Sequence, residues 1–201
     1  MINLADLFNY YGSDKTSNGY SELYECLFHP LRHKQLRFLE IGIGTMIPGM
    51  ISSMNGYAPD SYKPGASLRA WRDYFTNSMI YGLDVQPDTQ FVEDRIQTIQ
   101  ADSRSAEHTA QELNRLRLYE FDIILDDGSH AIGDQLATLN VMFKYLKPGG
   151  LWITEDIHQQ NAEAFLEHAK STLGNLPMFL LYPKANICVI RNPITSPYHH
   201  R

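Results

Sequence analysis

A chain of 201 residues, 43% hydrophobic and 20% charged, has the length and composition of one folded domain, with no internal repeat or low-complexity stretch. Its formal net charge of −6, from 17 basic and 23 acidic residues, argues against a nucleic-acid-binding surface. No run approaches the roughly 18 apolar residues of a membrane span, and the start lacks the basic and apolar regions of a signal peptide. Cys26 and Cys188 lie far apart and match no CxxC metal or redox pattern. The expectation is a disulfide-independent cytoplasmic protein with neither membrane nor nucleic acid as partner.

Two short helices are expected around residues 3–10 and 20–28, and "LRFLEIGIG" (36–44) reads as the first strand. The next segment, 45–64, separates that strand from its helix, where about 2–6 residues usually suffice. Rich in glycine and proline, it reads as a lid over a binding site in preference to a disordered insertion. "ASLRAWRDYF" then sets Leu68, Trp71 and Phe75 on one helical face. Strands follow at 78–85 and 95–102, a helix at "AEHTAQELNRLRL", and a strand at 119–128. "GDQLATLNVMFKYLK" is expected to carry Leu136, Leu139, Phe143 and Leu146 on one face and to stop at "KPGG". A strand at 149–157 and the helical "NAEAFLEHAKSTLG" come next. Residues 178–192 read as two strands joined by a short turn. Such alternation predicts an α/β, Rossmann-like doubly wound sheet. It should be mostly parallel, of about seven strands, with a C-terminal antiparallel hairpin, in a single domain over 1–201. Residues 1–35 would add N-terminal helices and a covering loop.

Ligands of open parallel sheets bind beyond the carboxyl ends of the strands. Here those ends carry Glu40, Gly42 and Gly44, then Asp84, then Asp102, then Asp126 and Asp127, and finally Glu155 and Asp156. One such acid alone reads as a helix cap or a solvated loop residue. Five strands ending this way point to a site. "EIGIG" is a weak signal by itself, because it is not G-x-G-x-x-G leading directly into a helix, and no Walker pattern is present. A pyrophosphate would be poorly served by an acidic rim. An uncharged or cationic nucleoside fits better, with Asp84 accepting from ribose hydroxyls and Asp102 from an adenine amine. S-adenosylmethionine, with its sulfonium and ammonium groups, suits these acids.

Adjacent strands lie about 4.8 Å apart, so an acid of the Asp126–Asp127 pair can join Glu155 and Asp156 in offering carboxylate oxygens to one hard cation such as Mg²⁺. Spacing alone does not choose between Asp126 and Asp127. His130, three residues beyond Asp127, has an unperturbed pKa suited to proton abstraction near neutrality. Its other readings are a helix cap, a support for the ligands, or a ligand itself. His158 is a second candidate base. Ser67, opening a helix, is expected to donate to a cofactor carboxylate, and Asp126 to orient the methionyl portion or cap the next helix. Tyr57, Tyr62 and Trp152 are sugar-stacking or packing residues.

"LEIGIG", "YGLDV", "QADS", "FDIILDDGSH" and "LKPGGLWITEDI" together resemble class I S-adenosylmethionine-dependent methyltransferases. With "YYGSDKTSNGY", "PLRHKQLRFLEIGIG" and "GASLRAWRDYF", the chain is similar over residues 8–157 to the metal-dependent, mycinamicin-type sugar O-methyltransferases. That resemblance implies methyl transfer from S-adenosylmethionine to a sugar hydroxyl of a glycosylated natural product or polysaccharide. It places the metal on Asp127, Glu155 and Asp156, and makes His130 the base. It also folds "GSDK" over the cofactor, with Ser13 near the methionine end and Lys15 pairing with an acid. Some of these enzymes carry an additional N-terminal domain for which 201 residues leave no room, so a homo-oligomer stays open. The alternatives are a metal-dependent catechol-type O-methyltransferase, which acts on a small molecule, and a non-catalytic cofactor-binding module. A nicotinamide dehydrogenase lacks the required glycine spacing.

Overall fold

A computed structural model describes residues 2–50, 53–59, 62–181 and 186–194. The first helix, α1 (Leu4–Tyr11), starts where the Asn3 side chain accepts from the Asp6 amide at 2.8 Å. It ends at Gly12, whose φ of 79° is left-handed. Helix α2 (Ser21–Phe28) follows, and then the elements alternate. They are β1 (Arg37–Ile41), α3 (Ala66–Tyr74), β2 (Met79–Asp84), β3 (Val92–Glu93), β4 (Ile96–Gln100), α4 (Ala106–Arg115), β5 (Phe121–Asp126), α5 (Ile132–Met142), β6 (Leu146–Thr154) and α6 (Ala162–Leu173). The hairpin strands β7 (Met178–Leu181) and β8 (Ile187–Arg191) close the series. Residues 182–185, in its turn, lie outside the described residues, as does the closing "HHR".

The eight strands form one sheet in the order β3-β4-β2-β1-β5-β6-β8-β7. Strands β4, β2, β1, β5 and β6 run parallel, and β8 pairs antiparallel with both β6 and β7. The mixed α/β architecture and the terminal hairpin agree with the sequence. The extra strand is β3, a two-residue edge pairing with β4 that is too short for any periodicity to announce. Chain order reverses between β1 and β5, which makes that junction the switch point.

Side chains alternate across the sheet into two cores. On one face Ile123, Leu125 and Ile153 meet α1, α2 and α3 through Phe8, Tyr24, Phe28, Leu68, Trp71 and Phe75. On the other, Ile124 and Trp152 meet α4, α5 and α6 through Leu113, Leu139, Met142 and Phe165. The expected face of α3 is fully buried. That of α5 is not continuous: the helix ends at Met142, a 3₁₀ turn carries Phe143, and Leu146 already belongs to β6. "KPGG" is therefore not a stop before the strand but an irregularity inside it. Phe121 pairs with Leu146 and Ile123 with Leu151, and Gly149 takes a left-handed φ of 82° to absorb the extra residues. Trp152 is wholly buried, so it packs the core and presents no face to a sugar.

No helix among the described residues is long and apolar enough to cross a membrane. Both cysteines are unpaired thiols, Cys26 exposed and Cys188 buried. Burial pushes the Cys188 thiol up to about 12, and thiolate is the reactive form. Iodoacetamide at pH 8 should therefore alkylate Cys26 in the native protein and reach Cys188 only after unfolding, as mass spectrometry of both states would show.

Candidate active site

The carboxyl ends of β1, β2 and β5 open onto a cavity of about 450 Å³, within the usual range for small-molecule and cofactor sites. Its floor is built by extending the ladders one residue past the strands. Asp127 N donates to Ile41 O at 2.8 Å, Gly42 N to Leu83 O at 2.9 Å and Glu155 N to Asp126 O at 2.9 Å. Ser13, Asp14 and Lys15 reach the cavity from the loop after α1, and Met50, Met54, Tyr57 and Tyr62 from the 45–64 segment. Residues 51–52 and 60–61 of that segment lie outside the described residues.

The glycines of "EIGIG" serve the chain's own close approaches. Gly42 has φ 80°, and a Cβ there would stand 2.0 Å from the Asp127 carbonyl oxygen; one on Gly44, φ 77°, would meet the Tyr62 hydroxyl at 2.0 Å. We expect Gly42→Ala to cost roughly 2–4 kcal/mol in urea unfolding, from left-handed strain plus overpacking. Because the clash falls on the turn holding Asp127, cofactor affinity measured by calorimetry should fall with it.

Lys15 organises the acids. Although the residue is only 1% exposed, its ammonium donates to Asp127 Oδ2 at 2.7 Å and to Glu155 Oε2 and Oε1 at 2.8 and 3.0 Å. Glu40 Oε1 stands 3.1 Å away. Burial opposes the charge on Lys15, but Asp127, Glu155 and Glu40 outweigh it and raise its pKa well above the ordinary value. Asp127 is the ionised partner: against burial, Lys15 and His130 hold it at about 2. Glu155 is pushed well up by burial and then by Asp127. The Tyr24 hydroxyl donates to Glu155 Oε1, and that of Tyr20 to Asp156 Oδ1. Sequence reasoning missed both tyrosines, though their one-turn spacing beside "GSDK" is a usable signal.

His130 Nε2 lies 3.1 Å from Asp127 Oδ1 and 3.5 Å from Asp156 Oδ2. His130 and Asp156 both adopt left-handed backbones, φ 59° and 52°, a costly conformation that surrounding contacts must hold in place. Burial works against a charged ring, but Asp127 and then Asp156 overcome it and raise the His130 pKa. Atoms of Asp127, His130 and Asp156 lie within 4.8 Å of one another, a geometry able to hold a cation. Glu155 is not in that trio, because its carboxylate is turned to Lys15 and Tyr24. His158 is exposed and stands apart from the trio.

The residues expected to meet a cofactor are placed as follows. Ser67 and Trp71 Nε1 both donate to Glu40 Oε2, at 2.8 and 3.1 Å, and Ser67 also lines the cavity. Asp84 accepts the Ile43 and Gln86 amides at 3.0 and 2.9 Å, which fixes the glycine turn, while remaining on the cavity wall. Asp102 is held by Arg104, with Nε to Oδ1 and Nη2 to Oδ2 both at 2.8 Å. Ser13 Oγ caps the Lys15 amide at 3.5 Å. Asp126, fully buried, is raised to about 7 by burial and then by Asp127. Among the described residues Asp126 Oδ2 and Gln135 Oε1 have no hydrogen-bond partner although buried, and both residues line the cavity. Orphaned acceptors of this kind fit a cofactor that brings N–H donors.

A family model described as FtsJ-like methyltransferase matches residues 62–179. Mycinamicin VI 2''-O-methyltransferase of Micromonospora griseorubida is 37% identical over 136 residues, covering 67% of this chain and 30% of that protein. The 8-demethyl-8-alpha-L-rhamnosyl tetracenomycin-C 2'-O-methyltransferase of Streptomyces olivaceus is 32% identical over 166 residues, 81% of this chain and 39% of that one. The chain thus spans between 30% and 39% of the length of these relatives. Among solved structures, the MycE methyltransferase of the mycinamycin pathway, in complex with Mg, SAH and mycinamycin VI, aligns with a TM-score of 0.72. Identity is 26%, and the alignment covers 98% of this chain and 56% of that one. With a matching family model over more than half its length and the sheet, switch point and acid-lined cavity described above, the chain belongs to the FtsJ-like methyltransferase family.

Proposed function

We propose that the chain transfers a methyl group from S-adenosylmethionine to a sugar hydroxyl of a glycosylated natural product, with a divalent cation such as Mg²⁺ at the acceptor. The observation that carries this reading is the meeting of Asp127, His130 and Asp156 beside the cavity at the switch point. The two relatives described above, one named as a mycinamicin VI 2''-O-methyltransferase and one as a 2'-O-methyltransferase of a rhamnosyl tetracenomycin, support it.

In this reading residues 1–201 act as one domain, with residues 12–15 and the 45–64 segment covering the cavity. Asp126 Oδ2 and Gln135 Oε1 take the cofactor's N–H donors, while Asp84 and Asp102 border its nucleoside. Asp127, Glu155 and Asp156 would hold the cation, which would supply Lewis-acid activation and orientation of an acceptor hydroxyl. His130 takes the hydroxyl proton on its imidazole. The flanking carboxylates stabilise the protonated ring that results, which favours abstraction.

The test is incubation with S-adenosylmethionine and a panel of deoxysugar-bearing macrolides, polyketide glycosides and simple catechols, with Mg²⁺ or with EDTA. Mass spectrometry should show one added methyl group on a sugar, lost with EDTA. Methylation of the catechols alone, or EDTA-insensitive turnover, would overturn the reading.

A further inference from the structure

A second cavity, of about 280 Å³, adjoins the first and shares Ser13, Asp14, Met54 and Tyr57 with it. Asp14 is the neighbour of Lys15, whose ammonium lies 2.7 Å from Asp127. The shared rim therefore stands at the acid cluster and not at the nucleoside end marked by Asp102. The two walls of this cavity differ in chemistry. One is polar, with Asn9, Asp14 and Ser17 from the end of α1 and the loop after it. The other is apolar, with Met54, Tyr57 and Pro59 from the 45–64 segment. They meet at Gly12, where a Cβ would touch Pro59 Cγ at 3.4 Å.

Local hydrogen bonds shape each wall and leave side chains facing outward. Tyr57 N and Ala58 N donate to Met54 O at 3.1 and 2.9 Å, and Ser17 Oγ and Asn18 N to Asp14 O at 2.8 and 2.9 Å. Tyr57 is left 66% exposed beside the opening. Across from it Asn9 is also exposed, and its amide can both donate and accept. Asp14 Oδ2 accepts from Asn18 Nδ2 at 3.2 Å, and a carboxylate has room for about four donors. An apolar occupant would strip water from this polar wall and return no hydrogen bonds, which is costly. A pyranose ring suits both walls: its C–H face covers an aromatic ring, and its hydroxyls reach amide, hydroxyl and carboxylate.

We propose that the second cavity binds the sugar next to the one that is methylated, so that the acceptor of this chain presents at least two linked sugars. The inference rests on the methyl-transfer reading above and adds the length of the acceptor to it. The outer sugar sets its hydroxyl against His130 in the first cavity. The inner sugar lies between Tyr57 and Asn9, with Asp14 at the junction of the two. Preference for a disaccharide then resides in the end of α1 and in residues 53–59, which contribute nothing to the cluster of Asp127, His130 and Asp156.

The experiment compares two polyketide glycosides of one aglycone. The first carries a single 6-deoxyhexose, and the second carries that same sugar linked through another 6-deoxyhexose. Turnover of both is measured with S-adenosylmethionine and Mg²⁺ on wild type, Tyr57→Ala and Asn9→Ala. Both side chains are exposed, so the variants keep the fold. Wild type should favour the disaccharide at least about tenfold in kcat/KM, through KM, and each variant should lose most of that preference. Equal or better use of the monoglycoside by wild type overturns the proposal and leaves methyl transfer standing. A disaccharide preference that both variants keep does the same. If wild type methylates neither compound, saturation-transfer NMR of the disaccharide with S-adenosylhomocysteine present separates the two readings. Contact with both sugars, lost for the inner one in Asn9→Ala, keeps the cavity assignment and removes methyl transfer. No contact with either sugar overturns both.

Discussion

Trp71→Ala should lower stability by about 3–5 kcal/mol, the range for emptying a buried large aromatic site. No part of Trp71 is exposed. Its ring centroid lies 4.9 Å from Phe8 of α1, 5.3 and 5.6 Å from Tyr24 and Phe28 of α2, and 4.9 Å from Phe38 of β1. One side chain of α3 therefore ties both N-terminal helices to the central strand, and the residues around it cannot collapse without moving Tyr24 off Glu155. Its indole N–H also donates to Glu40 at 3.1 Å, so part of the loss is electrostatic. Trp71→Phe keeps an aromatic ring while removing that N–H and part of the indole's volume, and should cost about 1–3 kcal/mol. Urea unfolding followed by circular dichroism measures both. A Trp71→Ala midpoint within experimental error of wild type would mean that the N-terminal helices are not held through this cluster.

His130→Asn should reduce kcat by about 10²–10⁴, the usual contribution of a general base. Asparagine suits the test because it tolerates the left-handed backbone that His130 occupies, φ 59°. The thermal midpoint should move little, and S-adenosylmethionine affinity by calorimetry should stay within about twofold, since a lost base removes transition-state stabilisation only. Undiminished turnover would remove His130 from the chemistry. Loss of cofactor binding together with turnover would show that the ring holds the Asp127 turn together and does not act as a base.

Much of this was legible in the chain because it is written in local patterns. Strand-ending acids, the 3.6-residue spacing of Leu68, Trp71 and Phe75, and the final hairpin each depend on neighbours in sequence. The strand β3 and the register shift at "KPGG" were not, since both depend on which partner strand the backbone meets. Residue types at the site were readable, but their partners were not. The side-chain chemistry of Asp84, Asp102 and Ser67 points to a ligand, and all three line the cavity. For the Ile43 amide and for Glu40 the partner is decided by packing across more than 20 positions, and for Arg104 and the Gln86 amide by a local turn. Glu155 illustrates the same limit: adjacency to Asp156 places it beside that acid, but its contact with a lysine 140 positions earlier is not legible in local spacing.

The central claim is that one cavity brings a nucleoside cofactor and a divalent cation together at Asp127 and Asp156. Crystals grown with S-adenosylhomocysteine and Mn²⁺, with diffraction collected at the manganese edge, test it most directly. The account predicts an anomalous peak in contact with Asp127 and Asp156 beside His130. It also predicts the cofactor product along Gly42 and Gly44, with its amino group on Asp126 or Gln135. A manganese peak away from these carboxylates, or S-adenosylhomocysteine bound outside the cavity at the strand ends, would contradict it.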